Sequence, residues 1–320
     1  MTTLFSDFQQ WSPPCPLCNG DQFERLANND RYGMKIPTCG CLQCGFLQTW
    51  PRPTPAAVSE FYREKYRYYY QGATKPNASY AARFHKGERL EYTAELIAAQ
   101  ALSPHASRVL DIGCAEGTLF SKLSGICTGL QFVGIEPSTS FAAYAHETTG
   151  CATYRDIDTL TTSGEGKFDL IVVNHVLEHV EDPVAFLNRL IEFLAPLGAL
   201  FVDVPNADSY AGPEMLHIAH LFHFTPRTLK TTLARAGWQV VSTECHVPPN
   251  HPASVWCVGT LACSPVKLGD TTVESERSAW DRMRSVGKMV PPYLLRQRLG
   301  SNRALGYITR VVRRVWAKQE

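Results

Sequence analysis

One feature near the middle of the chain constrains the fold most, a buried strand that turns through glycines into a helix. The segment VLDIGCAEGTLF runs from Val109 to Phe120, with Asp111 near the end of its apolar run. Gly113 and Gly117 let the backbone turn sharply and approach a ligand closely. Roughly twenty residues later FVGIEPS ends a second strand on Glu136, where a carboxylate can accept both hydroxyls of a ribose. The two strand ends predict a nucleotide-type cofactor. A glycine turn in an α/β domain without a nucleotide is the alternative.

Short β-branched runs alternate with helical periods from about residue 88 onward. The runs RVLDIG, FVGIE, KFDLIVV and ALFVDVP are predicted strands, and helices are predicted to begin at Glu116, Ser138 and Asp182. This alternation indicates a doubly wound α/β domain. The later runs WQVVSTE and SVWCVGTLA have no obvious helix between them, which predicts an antiparallel pair at the sheet edge.

The glycine turn separates two classes of α/β enzyme. A dinucleotide-binding dehydrogenase has the fingerprint G-x-G-x-x-G, but Ala115 stands at the middle glycine here and makes a poor cradle for a pyrophosphate. The segments VLDIGCAEG, VGIEPS and FDLIVVNHVLEHVEDP resemble the first, second and fourth motifs of class I S-adenosylmethionine (SAM) dependent methyltransferases. The resemblance covers about residues 88–263. It implies a Rossmann-like sheet of seven strands, the last one antiparallel, and SAM as the cofactor.

The same resemblance implies the residues that bind SAM. The loop from Gly113 to Gly117 would wrap the methionine part, Glu136 would hold the ribose, and Asn174 would line the sulfonium. Asp156 and Ile157 would border the adenine, and Ala115, which replaces a glycine common in the family, narrows the loop. The expected cofactor residues are Asp111, Gly113, Cys114, Gly117, Glu136, Pro137, Asp156, Ile157 and Asn174.

Two cysteine pairs precede this domain, Cys15-Pro-Leu-Cys18 and Cys41-Leu-Gln-Cys44. A two-residue spacing lets both thiolates of a pair reach one tetrahedral ion, so Cys15, Cys18, Cys41 and Cys44 are predicted to hold a structural zinc. Two free thiol pairs are the alternative. Cys39 is expected to be a neighbour of the site and not a ligand, because a Cys39–Cys41 pair is sterically awkward.

Histidines follow the fourth and fifth predicted strands, where this fold would place an acceptor. Methyl transfer to a hydroxyl needs a base whose pKa lies near the working pH, which makes histidine the obvious candidate. His175 or His220 is the predicted base and His179 the positioning residue, and Glu178 is a further candidate catalytic residue. His175 and His179 would share one face of a helical turn. A structural role for each histidine, including a loop-bracing hydrogen bond between Glu178 and His179, is the alternative.

Two resemblances accompany these histidines. HVLEH resembles the E-x-x-E-H of a ubiquinone-pathway O-methyltransferase group, in which these side chains hold a divalent cation, with His175 replacing the first carboxylate. HIAHLFHFTP resembles the E-H-x-x-x-x-[ST] stretch of sugar methyltransferases, in which the histidine acts near the accepting atom. That match falls on His220, with Ala219 in place of the glutamate.

Charge is distributed unevenly along the chain, although the net charge is only +1. Residues 71–275 carry 13 Lys and Arg against 21 Asp and Glu, whereas residues 276–320 carry 11 against 3. An acidic main domain argues against a broad cationic face for nucleic acid. The basic tail from Arg303 to Lys318 predicts an amphipathic helix, which would dock on its own domain or a second copy, or contact an anionic membrane.

The start of the chain has neither a positive n-region nor a continuous apolar h-region, so a cytoplasmic protein is expected, with peripheral contact at the inner membrane surface as an option. Four parts are expected along it. They are a zinc module over residues 1–52, an aromatic-rich connecting or lid segment over 53–87, the SAM-binding domain over 88–265 and a basic helical tail over 266–320. An aromatic helix packed between the domains is the alternative to a lid.

The predicted function is O-methylation of a sugar, as a nucleotide sugar or in a surface polysaccharide. The chain resembles sugar methyltransferases in which a cysteine-rich lobe precedes a tyrosine-rich segment, here FYREKYRYYY. The alternatives are a sugar C-methyltransferase, an RNA methyltransferase that grips RNA with its zinc module, and a non-catalytic SAM-binding regulator. The oligomeric state is left open.

Overall fold

The computed structural model describes residues 10–58, 76, 86–262 and 271–301. The aromatic run at 61–70 and the tail helix predicted at 303–318 lie outside the described residues. The strands are β1 (Gln10–Trp11), β2 (Phe23–Ala27), β3 (Thr38–Cys41), β4 (Leu47–Thr49), β5 (Arg52–Pro53), β6 (Arg108–Ile112), β7 (Gln131–Ile135), β8 (Ala152–Tyr154), β9 (Phe168–Asn174), β10 (Leu194–Pro205), β11 (Phe222–His223), β12 (Trp238–His246) and β13 (Ser254–Leu261). The helices are α1 (Lys86–Gln100), α2 (Thr118–Ile126), α3 (Thr139–Thr149), α4 (Ile157–Thr162), α5 (Pro183–Leu190), α6 (Pro226–Arg235) and α7 (Arg277–Ser301).

Seven strands form the main sheet in the order β12-β13-β10-β9-β6-β7-β8. The central pairs are parallel, and β13 runs antiparallel to both β10 and β12. The prediction of a Rossmann-like class I methyltransferase sheet is therefore confirmed, including the antiparallel pair at its edge. A parallel sheet of this kind gathers the carboxyl ends of its strands at one edge, which is where such folds bind ligands.

Both faces of the sheet are buried, which explains the nearly continuous apolar runs in its central strands. In β9 Ile171 and Val173 pack on one face, while Leu170 and Val172 pack on the other. The helices begin close to the predicted positions. Ser138 precedes α3, and Asp182 caps α5 by accepting hydrogen bonds from the backbone N–H groups of Val184 and Ala185 at 2.9 Å.

The cysteine-rich segment forms a second sheet in the order β11-β4-β3-β2. The strands β2, β3 and β4 come from the N-terminal segment, whereas β11 follows β10 of the main domain and pairs with β4. His223 in β11 aligns with Leu47 in β4. The cysteine-rich segment is thus joined to the main domain by a shared sheet.

The helix α7 packs on this second sheet. The Trp280 indole N–H donates to the Gly45 carbonyl at 2.7 Å, and the ring lies directly against Gly40, where no side chain would fit. Arg284 pairs with Glu24 at 2.6 Å. Among the helices that the structure describes, none is long and apolar enough to span a membrane.

Candidate functional site

The turn after β6 builds a backbone cradle at the carboxyl edge of the main sheet. Gly113 and Gly117 have φ angles of 77° and 79°, in the left-handed region that favours glycine. A Cβ at Gly113 would lie 2.7 Å from the Val176 side chain. Ala115 also adopts a positive φ of 51°, and its N–H donates to Glu136 at 3.2 Å. A hydrogen bond to the neighbouring strand end thus holds the loop in spite of the missing glycine.

Three buried carboxylates surround this cradle. Asp111 lies on β6, Glu116 in the turn and Glu136 after β7, and each is at most 5% exposed. Burial, and then the charges of Glu136 and Glu116, raise the pKa of Asp111 well above its usual range. A cationic ligand would relieve this repulsion. The arrangement fits SAM, which carries both an ammonium and a sulfonium.

The remaining predicted cofactor residues lie at or near the ends of β6, β7, β8 and β9. Cys114 is buried against Gly134, and Pro137 is exposed after Glu136. Asp156 caps α4 by accepting from the Thr159 N–H at 2.8 Å, and Ile157 packs into the core. The Oδ1 atom of Asn174, at the end of β9, is buried and has no hydrogen-bond partner in the described part of the chain.

The HVLEH segment differs from the predicted helical turn. His175 has a φ of 54°, and a single 3-10 turn begins only at Leu177, so His175 and His179 do not share a helix face. The prediction of one face for both rings was wrong, because the chain leaves β9 through a left-handed residue before it can coil. The rings still meet around one carboxylate.

Glu178 lies at the centre of this cluster and is 2% exposed. Its Oε1 atom lies 3.4 Å from His175 Nδ1, 3.8 Å from His179 Nε2 and 4.0 Å from His220 Nε2. Burial raises the pKa of Glu178 and lowers the pKa of His175 to about 4. Burial also holds the pKa of His220 well below its usual range. The rings of His175 and His220 are therefore neutral near pH 7, with lone pairs for a proton or a cation.

Three members of the cluster could hold one metal ion, because their ligand atoms lie within 4.8 Å of one another. They are Glu178, His179 and His220. His179 Nδ1 lies 2.6 Å from the Ala219 carbonyl. This contact requires a proton on Nδ1 and leaves Nε2 as a ligand atom, the usual way in which a backbone carbonyl orients a metal-binding histidine.

The four predicted zinc ligands converge in the second sheet. Cys15 Sγ lies 3.6 Å from Cys44 Sγ, and Cys18 Sγ lies 3.5 Å from Cys41 Sγ. Four sulfurs at 2.3 Å from a tetrahedral zinc would be about 3.8 Å apart, so the cluster has nearly the size of an occupied site.

Each cysteine pair lies on a tight turn. The Asn19 N–H donates to the Cys15 carbonyl, the Gly45 N–H donates to the Cys41 carbonyl, and both donor residues have a positive φ. Cys39 lies outside the cluster and its thiol donates to the Trp50 carbonyl at 3.1 Å. Burial raises the pKa of Cys39 to about 11, so it remains a thiol.

The comparison with protein families decides the class. The family described as methyltransferase domain matches residues 83–243, half of the chain. The chain belongs to the methyltransferase-domain family. The predicted class, a SAM-dependent methyltransferase, is confirmed for this domain.

Curated relatives of the methyltransferase domain include two enzymes named ubiquinone biosynthesis O-methyltransferase. The one from Xanthomonas axonopodis pv. citri is 30% identical over 122 residues, which cover 37% of this chain and 49% of the relative. The one from Bradyrhizobium diazoefficiens is 36% identical over 108 residues, covering 31% and 40% respectively. The chain spans half or less of the length of these relatives. Among solved structures, the magnesium protoporphyrin IX methyltransferase of Synechocystis PCC 6803 is 15% identical with a TM-score of 0.46, covering 65% of this chain and all of that one.

Sequence reasoning missed several buried polar groups of the methyltransferase domain. The sequence marks Glu116 only as a helix start, yet this residue is buried and its charge helps to raise the pKa of Asp111. Asp203 near the end of β10 and His246 at the end of β12 were not singled out, yet they contact each other at 3.1 Å. The available signal was positional, since an acidic residue in ALFVDVP interrupts an apolar strand close to its carboxyl end.

Proposed function

We propose that the chain transfers a methyl group from SAM to a hydroxyl oxygen of a small-molecule or glycan acceptor, with a sugar as the expected class. The observation that carries the proposal is that two clusters of polar side chains lie next to each other at one edge of the main sheet. The cradle of Asp111, Glu116 and Glu136 follows β6 and β7, and the neutral histidines around Glu178 follow β9 and β10.

Bound SAM supplies an electrophilic methyl group on a cationic sulfur. The chain must align the acceptor and remove its proton. Burial lowers the pKa of His175 to about 4, so this ring is neutral near pH 7 and has a free lone pair, although it is a weaker base than the sequence predicts. His220 lies in the same cluster and has the same property. The names of the curated relatives support oxygen as the accepting atom.

A divalent cation is the other use of this cluster. Two imidazoles and one carboxylate, from His179, His220 and Glu178, favour zinc, manganese or iron over magnesium. A cation here would hold a deprotonated acceptor oxygen, and His220 would then be a ligand and not the base. Metal analysis of the Glu178→Gln variant separates the two roles.

We also propose that Cys15, Cys18, Cys41 and Cys44 hold a structural zinc. Four thiolates close a tetrahedral site and leave no position for a substrate, so the metal would stabilise the fold and take no part in the reaction.

The function is tested by incubating the protein with methyl-labelled SAM and separate pools of nucleotide sugars, surface glycans, small phenols and RNA. We expect label in the sugar pools, and a loss of about 10²-fold in rate for His175→Ala or His220→Ala with SAM affinity nearly unchanged. Label in RNA alone would contradict the sugar proposal. Near wild-type turnover in both variants would exclude both histidines as the base.

A further inference from the structure

A chain of three polar side chains lies beside the Glu178 cluster and shares none of its residues. Asp203 Oδ1 lies 3.1 Å from His246 Nε2, and His246 Nδ1 lies 3.2 Å from the Tyr92 hydroxyl. The rings of Tyr92 and His246 are stacked, with centroids 5.6 Å apart and planes 16° from parallel. These residues come from β10, β12 and α1, so the main domain assembles the chain from three separate elements.

The geometry determines the tautomer of His246. An ionised carboxylate only accepts hydrogen bonds, so Nε2 carries the proton and donates to Asp203. The Nδ1 atom is then an acceptor, and the Tyr92 hydroxyl donates to it. Hydroxyl, imidazole and carboxylate thus stand in the order that activates a hydroxyl in hydrolase triads.

Burial decreases along this chain toward the surface. The side chain of Asp203 is 1% exposed, that of His246 is 7% exposed, and Tyr92 is only half-buried. The charged end therefore lies in the core, where a carboxylate acts most strongly on its partner, and the residue at the other end is partly exposed.

The buried end adjoins the site proposed for the sulfonium. Asp203 aligns in register with Asn174 on the neighbouring strand, and its carbonyl accepts from the His175 N–H at 2.8 Å. Asp203 Oδ2 and Asn174 Oδ1 are both buried and lack a hydrogen-bond partner among the residues described. These two oxygens lie on adjacent strand ends. A ligand with a hydrogen-bond donor at this place would satisfy them.

The neighbouring histidines do not interrupt the contact between Asp203 and His246. His175 Nε2 lies 3.9 Å from Asp203 Oδ2, beyond hydrogen-bonding distance. The His251 ring packs against the His175 ring, with centroids 4.4 Å apart and planes tilted by 54°. Asp203 is hydrogen-bonded through its carboxylate to His246 alone among the described side chains.

We propose that Tyr92, His246 and Asp203, and not His175 or His220, accept the acceptor proton as the proton relay of the methyl transfer. This rests on the methyl transfer proposed above and replaces only its base. The acceptor O–H bond breaks as the new O–CH₃ bond forms and the S–CH₃ bond of SAM breaks, leaving the electron pair on a neutral sulfur. The acceptor proton passes to the Tyr92 oxygen while the Tyr92 proton moves to His246 Nδ1. The resulting imidazolium is paired with the Asp203 carboxylate, so charge and protons balance within these residues.

The relay makes a prediction that needs no acceptor. In protein labelled with ¹⁵N-histidine, the His246 signals, assigned by their loss in His246→Gln, should show the Nε2–H tautomer at pH 7.5. Tyr92→Phe should shift the Nδ1 resonance and Asp203→Asn the Nε2 resonance. A His246 ring protonated on Nδ1 alone would overturn the relay, whatever the activity of the protein.

Kinetics with an acceptor found by the labelling experiment provide the second test. His246→Gln should lower kcat about 10²-fold and Tyr92→Phe about 10-fold, with SAM affinity unchanged in both. Added imidazole should restore part of the kcat of His246→Ala, which a purely structural histidine would not allow. His105→Gln, an exposed histidine on a loop, is the matched control and should keep full activity.

The outcomes separate the two proposals. The expected tautomer without methyl transfer to any pool would contradict the proposed function and leave the geometry of the chain intact. Methyl transfer with an unchanged kcat in His246→Gln and Tyr92→Phe would overturn the relay and keep the function.

Discussion

At the scale of single residues, the end of β7 shows how one carboxylate serves two purposes. Glu136 accepts hydrogen bonds from the N–H groups of Ala115 and Ser138, at 3.2 and 2.9 Å. It therefore orients the glycine loop on one side and the start of α3 on the other. The same carboxylate is the one proposed to accept the ribose hydroxyls, and these two backbone contacts already set its position.

We expect Glu136→Gln to weaken SAM binding by about 1.5–3 kcal/mol, because the amide has no negative charge and has a donor NH₂ group in place of one acceptor oxygen. Calorimetric titration with SAM measures this loss. Glu147→Gln, an exposed carboxylate on α3, is the control and should bind SAM like the wild type. Equal affinities in all three proteins would mean that the cofactor lies elsewhere.

At the scale of elements, the start of α7 connects three parts of the molecule. Glu276 precedes the helix and accepts a hydrogen bond from Thr225, the residue that caps α6, at 2.7 Å. One turn later, Trp280 donates to Gly45 in the cysteine-rich sheet. The packing of α7 therefore depends on whether the buried Glu276 carboxyl is protonated. Burial raises the pKa of Glu276 to about 7.

This pKa predicts a pH-dependent stability. Because the pKa of Glu276 is raised above its unfolded value of 4.5, its contribution to stability is fully present below pH 4.5 and is lost as the pH rises through about 7. Glu276→Gln should remove that loss. Between pH 5 and pH 8 the melting temperature of the variant should therefore fall by about 2–4 °C less than that of the wild type. Arg227 and Asp208 remain nearby in both proteins.

Thermal melts at the two pH values measure the effect, with Glu274→Gln as the control, since that neighbouring carboxylate is 83% exposed. Parallel pH profiles for the wild type and Glu276→Gln would show that the buried carboxyl does not titrate in this range.

At the scale of the whole molecule, the cysteine-rich segment and the methyltransferase domain are built as one structure. The strand β11 of the domain completes the sheet of the segment, and α7 covers that sheet. Loss of order around the cysteines should therefore destabilise the methyltransferase domain as well.

Purified protein should contain about one structural zinc per chain, and Cys15→Ser should lose this zinc and melt at a lower temperature in a single transition. Metal analysis and calorimetry measure both effects. Cys39→Ser is the matched control, because Cys39 is buried nearby but contacts Trp50 and not the cluster. Metal-free protein from a purification without chelator, with an unchanged melting temperature in Cys15→Ser, would exclude the site.

The features that the sequence predicted correctly are short-range ones. The glycine turn, the strand that ends on Glu136 and the antiparallel edge pair each lie within one continuous segment, and their periodicity and spacing report directly on local backbone geometry. The two cysteine pairs also converge as predicted. The signal was local, because the spacing within each pair is typical of ligands to one metal ion.

Only the tertiary structure decided how distant segments meet. Tyr92 and His246 are 154 residues apart, and no spacing rule connects them to each other or to Asp203. The pairing of β11 with β4 and the left-handed turn at His175 were equally hidden. Such contacts depend on which strand ends the sheet order brings together and on which buried polar atoms remain to be paired. The sequence by itself thus determined the glycine turn and the class of fold, while the arrangement of the groups that would handle the acceptor was decided by packing.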